Sequence, residues 1–227
     1  MLSTYSLSFE KINWTQLDTY LLPFVSEERR NRIMSYYFDI DKKLSLYAAL
    51  LTRMEICNWT GMQVTELVFG RNNLKKPILI SSPKINFNFA HTRNFVLLGI
   101  SDSVEIGVDV EKIKDAPFEI ADTVFHPKEK EYIFDAPLEE QNSLFFQIWT
   151  RKEAFIKQSG EGLSCNLAGL NMLEPSLSSF FYSWESNNYI CSVYAPTQTT
   201  LNHEIINLRD IQKYYEIITR NTSFGLF

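Results

Sequence analysis

Three short segments gather side chains whose types and spacing could do chemistry. In Gly107-Val108-Asp109-Val110-Glu111, carboxylates alternate with valines. On a strand, residues two apart share a face, so Asp109 and Glu111 point together while Val108 and Val110 face a core. Two carboxylates ~7 Å apart along a strand repel unless a cation or base lies between them. The same pattern also describes a plain solvent-facing acidic edge. In Trp149-Thr150-Arg151-Lys152-Glu153-Ala154-Phe155-Ile156-Lys157, Trp149, Glu153 and Lys157 stand at i, i+4 and i+8, with Lys152 next to Glu153. That helical face is half apolar and half charged, and an ordinary surface Glu–Lys pair would look no different. The third segment, Phe87-Asn88-Phe89-Ala90-His91-Thr92-Arg93, ends on an imidazole, a hydroxyl and a guanidinium. A lone histidine is more often structural, but this combination suits a phosphate.

These residues need elements to hold them. Thr4 to Phe9 alternates like a strand. Ser26-Glu27-Glu28 reads as a helix start with Ser26 as its cap. Leu44, Tyr47, Ala48, Leu51, Met54 and Ile56 recur at helical spacing, predicting a helix over Asp41 to Trp59. Asn86–His91, Phe95–Ile100 and Glu105–Val110 are short strand-like runs. Pro117–Val124 and His126–Phe134 read as short helices, the second with Pro in its first turn. Leu144–Ser159 is the clearest helix, and Gly160 marks its end. Phe180–Trp184 and Tyr189–Tyr194 read as a hairpin across Glu185–Asn188. The tail from Leu201 to Phe227 suggests only a packed helix. Strands and helices without a regular βαβ rhythm make the fold class α+β.

Length and composition set the frame. The 227 residues allow one large or two small domains, and 45% hydrophobic residues with 14% aromatics supply a core. A net charge of −5 argues against a nucleic-acid binder acting through bulk charge. That total averages two opposed segments. Residues 67–101 contain no Asp or Glu but carry Arg71, Lys75, Lys76, Lys84 and Arg93, whereas residues 102–140 carry twelve acids against four lysines. Either two solvated faces cluster their charges, or a basic wall for phosphates adjoins carboxylates for a metal. No apolar run approaches the ~18–20 residues of a membrane span, and Met1–Glu10 lacks the features of a signal peptide. Cys57, Cys165 and Cys191 are too dispersed for a metal motif and read as reduced thiols of a cytoplasmic protein.

Taken together, the order and spacing of the three segments resemble the Sfp-type 4′-phosphopantetheinyl transferases. Their pattern is F-N-x-(S/A)-H, then G-(I/V)-D-(I/V)-E, then W-(T/S)-x-K-E-(A/S)-x-x-K. This chain reads Phe87-Asn88-Phe89-Ala90-His91, Gly107-Val108-Asp109-Val110-Glu111, and Trp149 through Lys157, with Gly160-Glu161-Gly162-Leu163 trailing. The resemblance runs from about Ser26 to Ala195. Three positions depart from the pattern: Ala90 where Ser is common, Lys75 in the Gly place before Lys76-Pro77, and Leu44 where an Arg is frequent.

The resemblance implies a fold of two similar α+β half-domains related by pseudo-twofold symmetry, residues 1–102 and 103–227, with the active site in the cleft between them. It implies transfer of 4′-phosphopantetheine from coenzyme A to a serine of an apo acyl, peptidyl or aryl carrier protein, with Mg²⁺, by a monomer. On the family pattern Asp109, Glu111 and Glu153 would be the metal ligands, and Glu153 would also activate the carrier serine. Lys157, Lys152 and His91 would contact phosphate, with Lys157 also free to orient Glu153. Arg29, Arg32, Ser45, Lys76 and Thr92 would serve the nucleotide end. Two other readings stay open: an inactive coenzyme A- or carrier-binding protein of the same fold, and a Mg²⁺-dependent nucleotide pyrophosphate hydrolase.

Overall fold

The computed structural model describes residues 1–160 and 166–223. Strand β1 (Leu2–Ser8) leads to α1 (Gln16–Leu21), whose start is fixed by a reciprocal cap between Thr15 and Asp18. Helix α2 (Glu27–Ser35) is capped by the Ser26 side chain, which accepts from Arg29 N–H. Helix α3 (Asp39–Thr60) starts two residues earlier than its apolar pattern suggests and ends at Gly61, whose φ of 71° is left-handed. Strands β2 (Phe69–Arg71) and β3 (Pro77–Leu79) form a small antiparallel pair that the sequence pattern did not announce. At three residues each, they are too short to show alternation.

Strands β4 (Asn86–Thr92), β5 (Phe95–Ser101) and β6 (Gly107–Lys112) follow. Then come α4 (Ala121–Val124), α5 (Pro127–Phe134), α6 (Leu138–Ser159) and α7 (Pro175–Ser178). Helix α6 begins at Leu138, not Leu144, because Pro137 sets its start and a polar first turn (Glu139 to Asn142) hides the apolar period. Strands β7 (Phe181–Ser186) and β8 (Tyr189–Tyr194) are joined by Asn187-Asn188, both at positive φ (51° and 65°), as a two-residue hairpin turn requires. Strand β9 (Leu201–Ile206) and helix α8 (Leu208–Ser223) complete the chain.

The architecture is α+β and repeats itself. The first sheet contains the order β4-β5-β1 and the second the order β7-β8-β6, so each half ends in a hairpin laid beside its own first strand. Each half also carries one 22-residue helix, α3 or α6, closed by a left-handed glycine, Gly61 or Gly160. The halves meet where Leu2, Ala90, Phe95 and Leu97 pack against Ile106, Val108, Val110 and Val193. Gly99 makes this approach possible, since a Cβ there would stand 2.7 Å from Val108 Cγ1.

The tail, as far as Ser223, returns to pack on the first half. Strand β9 pairs parallel with β1, from Leu2↔Leu201 to Leu7↔Ile206. Behind it α8 buries Ile211 and Tyr215 in the core of the first half, and Tyr215 Oη donates to the Leu50 carbonyl at 2.8 Å. The physical reason is the free edge of β1, whose backbone groups β9 satisfies. Cys57 and Cys191 are buried free thiols. Cys165 and the trailing Glu161-Gly162-Leu163 lie outside the described residues. No helix among the described residues is long and apolar enough to cross a membrane.

Candidate active site

The close approach of β6 and α6 builds the acidic centre. Gly107 permits it: a Cβ there would fall 1.9 Å from the Ala154 carbonyl oxygen. Val108 and Val110 point into the core, as alternation requires, and Asn88 Oδ1 accepts from Val108 N–H at 3.0 Å, tying β6 to β4. On the other face Asp109 is 5% exposed. Its Oδ1 lies 2.5 Å from Lys157 Nζ, while its Oδ2 is buried without a hydrogen-bond partner. Burial raises the Asp109 pKa even though Lys157 pulls it down. Burial, then the Asp109 charge, also raises Glu111 and Glu153. The Thr92 hydroxyl donates to Glu111 Oε2 at 3.1 Å.

Asp109 therefore makes both glutamates harder to ionise, and one of its own oxygens is buried without a hydrogen-bond partner. Among the described residues no group of three or more His, Cys, Asp or Glu side chains is placed to hold a metal ion as it stands, and Lys157 occupies one Asp109 oxygen. The donor set nonetheless fits a hard divalent cation, which takes carboxylate oxygens and keeps some waters. His91, at the end of β4, opens to solvent. Burial of part of its ring and the nearby Lys157 lower its pKa. Glu153 and Lys157 line a cavity of about 260 Å³ together with Asn88, Leu74 and Lys76.

A second cavity, of about 380 Å³, lies between α2, α3 and β2. Four guanidinium side chains line it, Arg29, Arg32, Arg53 and Arg71, with Phe69, Phe87 and Phe89. Arg53 sits 4.6 Å from the Phe69 ring centre and Arg29 sits 6.0 Å from that of Phe89. Burial is the first cause lowering the pKa of both arginines, which stay protonated. Among the described residues, Glu28 is the one carboxylate on the wall, and it reaches only to 3.9 Å from Arg71. The cavity thus holds uncompensated positive charge beside aromatic faces, which suits a flat ring carrying phosphates.

The sequence placed Arg29 and Arg32 here but missed Arg53. Its signal was position: Ser45, Ala49, Thr52 and Arg53 share one face of α3 at i, i+4, i+7 and i+8. Ser45 lies behind the wall, 3.5 Å from Arg29 Nη1. Thr92 directs its hydroxyl to Glu111. Lys152 requires a correction. Its ammonium faces away from the cavities and is fully buried, 2.8 Å from Glu129 Oε2, with the Leu167 and Leu170 carbonyls at 2.8 and 2.6 Å. An ammonium has three donors, and all are engaged there, so it is not the phosphate contact expected. Lys76 is likewise 9% exposed, and its Nζ meets Gln158 O at 2.8 Å, Glu105 Oε2 at 3.2 Å and Ile106 O at 3.4 Å.

Residues 105–205 match the model of the 4′-phosphopantetheinyl transferase superfamily, and residues 13–102 match the model described as 4′-phosphopantetheinyl transferase, N-terminal. The 4′-phosphopantetheinyl transferase AcpT of Salmonella typhimurium is 31% identical over 62% of this chain and 72% of its own. The chain belongs to the 4′-phosphopantetheinyl transferase family. Among family members, 4′-phosphopantetheinyl transferase psf-1 of Bacillus pumilus is 33% identical over 65% of this chain. The 4′-phosphopantetheinyl transferase Sfp of Bacillus subtilis is 32% identical over 64%. Those alignments span 63% and 65% of the two relatives' own lengths.

Proposed function

We propose that this chain transfers the 4′-phosphopantetheine arm of coenzyme A to a serine hydroxyl of an apo carrier protein, leaving adenosine 3′,5′-bisphosphate. The observation that carries the reading is the adjacency of two chemistries. A pocket of four arginines with aromatic walls could collect the nucleotide phosphates, and Pro77 is shared between its wall and that of the cavity holding Glu153 and Lys157, next to buried Asp109 and half-buried Glu111. In this reading Arg29, Arg32, Arg53 and Arg71 hold the nucleotide end. His91 and the Lys157 ammonium face the pyrophosphate.

Asp109, Glu111 and Glu153 would hold Mg²⁺, and the orphaned Asp109 oxygen is what supports that assignment. When bound, the ion would neutralise charge developing on the transferring phosphoryl group. Glu153 accepts the proton that leaves the serine hydroxyl. It is half-buried on α6 and lines the cavity next to Lys157, within reach of a docked hydroxyl. Thr92 fixes Glu111, and Lys157 fixes Asp109, so the carboxylates meet the substrate already oriented.

One chain supplies both halves, so the active unit is a monomer. A cytoplasmic setting would supply coenzyme A and keep the buried thiols reduced. The test is incubation of the purified protein with coenzyme A, Mg²⁺ and a panel of apo carriers. One or more carriers should gain the mass of the phosphopantetheine arm. Free phosphopantetheine released without any carrier would instead indicate a hydrolase, and coenzyme A binding without product would indicate a binder.

A further inference from the structure

We infer that Lys76 is a positioning residue that fastens the wall of the nucleotide cavity to the last turn of α6, and not a phosphate ligand. The roles of the two sites rest on the transfer reading above, whereas the contact itself does not. The turn that delivers Lys76 is built from its own backbone. Asn72 Oδ1 accepts from the N–H groups of Leu74 and Lys76, both at 3.0 Å, and Asn72 N–H donates to the Lys76 carbonyl at 3.0 Å. Lys75 takes φ 62°, a left-handed conformation that disfavours a side chain and explains the glycine of the family pattern at this place.

From this turn the Lys76 ammonium enters a slot made by the other half of the molecule. Its three partners are Gln158 O, Ile106 O and Glu105 Oε2, which use up its three donors. Gln158 lies in the last turn of α6, where carbonyls have no partner within the helix and a cation complements the helix dipole. Its neighbour Lys157 holds Asp109. Just beyond, Gly160 packs beneath the turn: a Cβ there would stand 3.4 Å from Leu74 Cβ and 3.9 Å from Lys76 Cβ.

At the other end of the turn, Arg71 lines the nucleotide cavity and its Nη1 donates to the Lys75 carbonyl at 3.1 Å. A continuous chain of contacts therefore runs from a guanidinium of the nucleotide cavity to the residue beside Lys157. Lys76 is its charged link to α6. Removing the ammonium frees the last turn of α6, and with it the lysine that orients Asp109.

The experiment compares Lys76→Met, Lys76→Gln and Lys76→Arg. For each it measures coenzyme A affinity by calorimetry, kcat and KM with a carrier, and amide hydrogen exchange over residues 156–160. Lys76→Met should keep the coenzyme A Kd within about 3-fold while kcat falls about 10- to 100-fold, the range expected of a small misplacement. Exchange in the last turn of α6 should quicken in the absence of coenzyme A. Lys76→Gln still donates to carbonyls and should restore most of kcat, whereas Lys76→Arg keeps the charge, overfills the slot and should not.

The opposite pattern overturns the inference. That pattern is a Kd raised about 10-fold or more in Lys76→Met with kcat intact, and rescue by Arg but not by Gln. Wild-type exchange rates at residues 156–160 in Lys76→Met also overturn it. If the wild-type protein binds no coenzyme A, the transfer reading fails, and the exchange measurement still decides the tether.

Discussion

Lys157 Nζ stands 2.5 Å from Asp109 Oδ1, while the other oxygen of that carboxylate is buried with no partner. One half of the carboxylate is neutralised by a helix and the other half is held for something else. Burial outweighs the lysine, so the Asp109 pKa is raised, and Asp109 in turn raises Glu111 and Glu153. The folded chain thus carries an electrostatic cost at Asp109 that removing its charge would relieve.

That cost has a sign that can be measured. Groups whose folded pKa is raised bind protons more tightly in the folded state. Their contribution to stability is fully present below the unfolded carboxylate pKa and is lost as pH rises through the folded value. In metal-free buffer near neutral pH the wild-type chain therefore carries the whole cost of its buried charge. Asp109→Asn removes that charge at nearly constant shape, and the Lys157 it leaves is a third exposed and can be hydrated. Its Tm should exceed that of the wild type at about pH 7, and the difference should shrink as pH falls towards the ordinary carboxylate range. Transfer activity should drop at least about 10²-fold. A Tm advantage that widens with acidification would show that Asp109 is not held under this cost.

Glu129 and Lys152 carry the opposite expectation. Glu129 Oε2 accepts from Lys152 at 2.8 Å and from His126 N–H at 2.8 Å, while Oε1 accepts from Met172 N–H at 2.7 Å. Both side chains are fully buried, so Lys152→Met alone strands a buried carboxylate. It should cost about 3–5 kcal/mol in denaturant unfolding. Adding Glu129→Gln to Lys152→Met should return part of that loss, since no charge is left unpaired, although the single amide oxygen can accept from only one of the His126 and Met172 N–H groups. A single variant within about 0.5 kcal/mol of wild type would contradict the pairing.

How much of this was legible in sequence depends on the range of the force that fixes each residue. Asp109 and Glu111 were readable because strand alternation is local, and Gly160 was readable because a helix end writes itself into one residue. Lys152 was misread although it adjoins Glu153. Neighbours on a helix point about 100° apart, and its partner Glu129 lies on another helix. Strand β9 was invisible for a similar reason. Leu201 to Ile206 is a half-exposed edge strand whose pairing depends on β1, at the far end of the chain. The arginine cavity was partly legible: Arg29 and Arg32 follow from the family pattern and Arg71 from the acid-free stretch, but Arg53 reaches it only through its place on one face of α3.

Gly107 tests how tightly the site depends on packing. Gly107→Ala would set a methyl group 1.9 Å from the Ala154 carbonyl oxygen and 2.6 Å from Gln158 N, both backbone atoms that cannot swing aside. Helix α6 must then lift from β6. Such overpacking costs about 1–3 kcal/mol or more, and it separates Asp109 from Lys157 and Glu153. We expect a lowered unfolding midpoint together with transfer reduced at least about 10²-fold in the fraction that remains folded. Near-wild-type activity in a stably folded Gly107→Ala protein would mean that the β6–α6 spacing does not govern the centre.

Arg53 separates binding from chemistry. It reaches the arginine-lined cavity from α3 and stacks 4.6 Å from the centre of the Phe69 ring, and Asp109, Glu111 and Glu153 are not on that cavity's wall. Its contribution should be made equally in the ground and transition states, so Arg53→Met should raise KM for coenzyme A about 10-fold and leave kcat nearly unchanged. Methionine keeps much of the packing on Phe69, so the loss reports charge more than shape. Because the interaction is ionic, the gap between variant and wild type should narrow as salt is raised and the wild-type contact is screened. A fall in kcat with KM constant would instead place Arg53 at the reacting phosphate, and equal KM values at low salt would remove it from the coenzyme A site altogether.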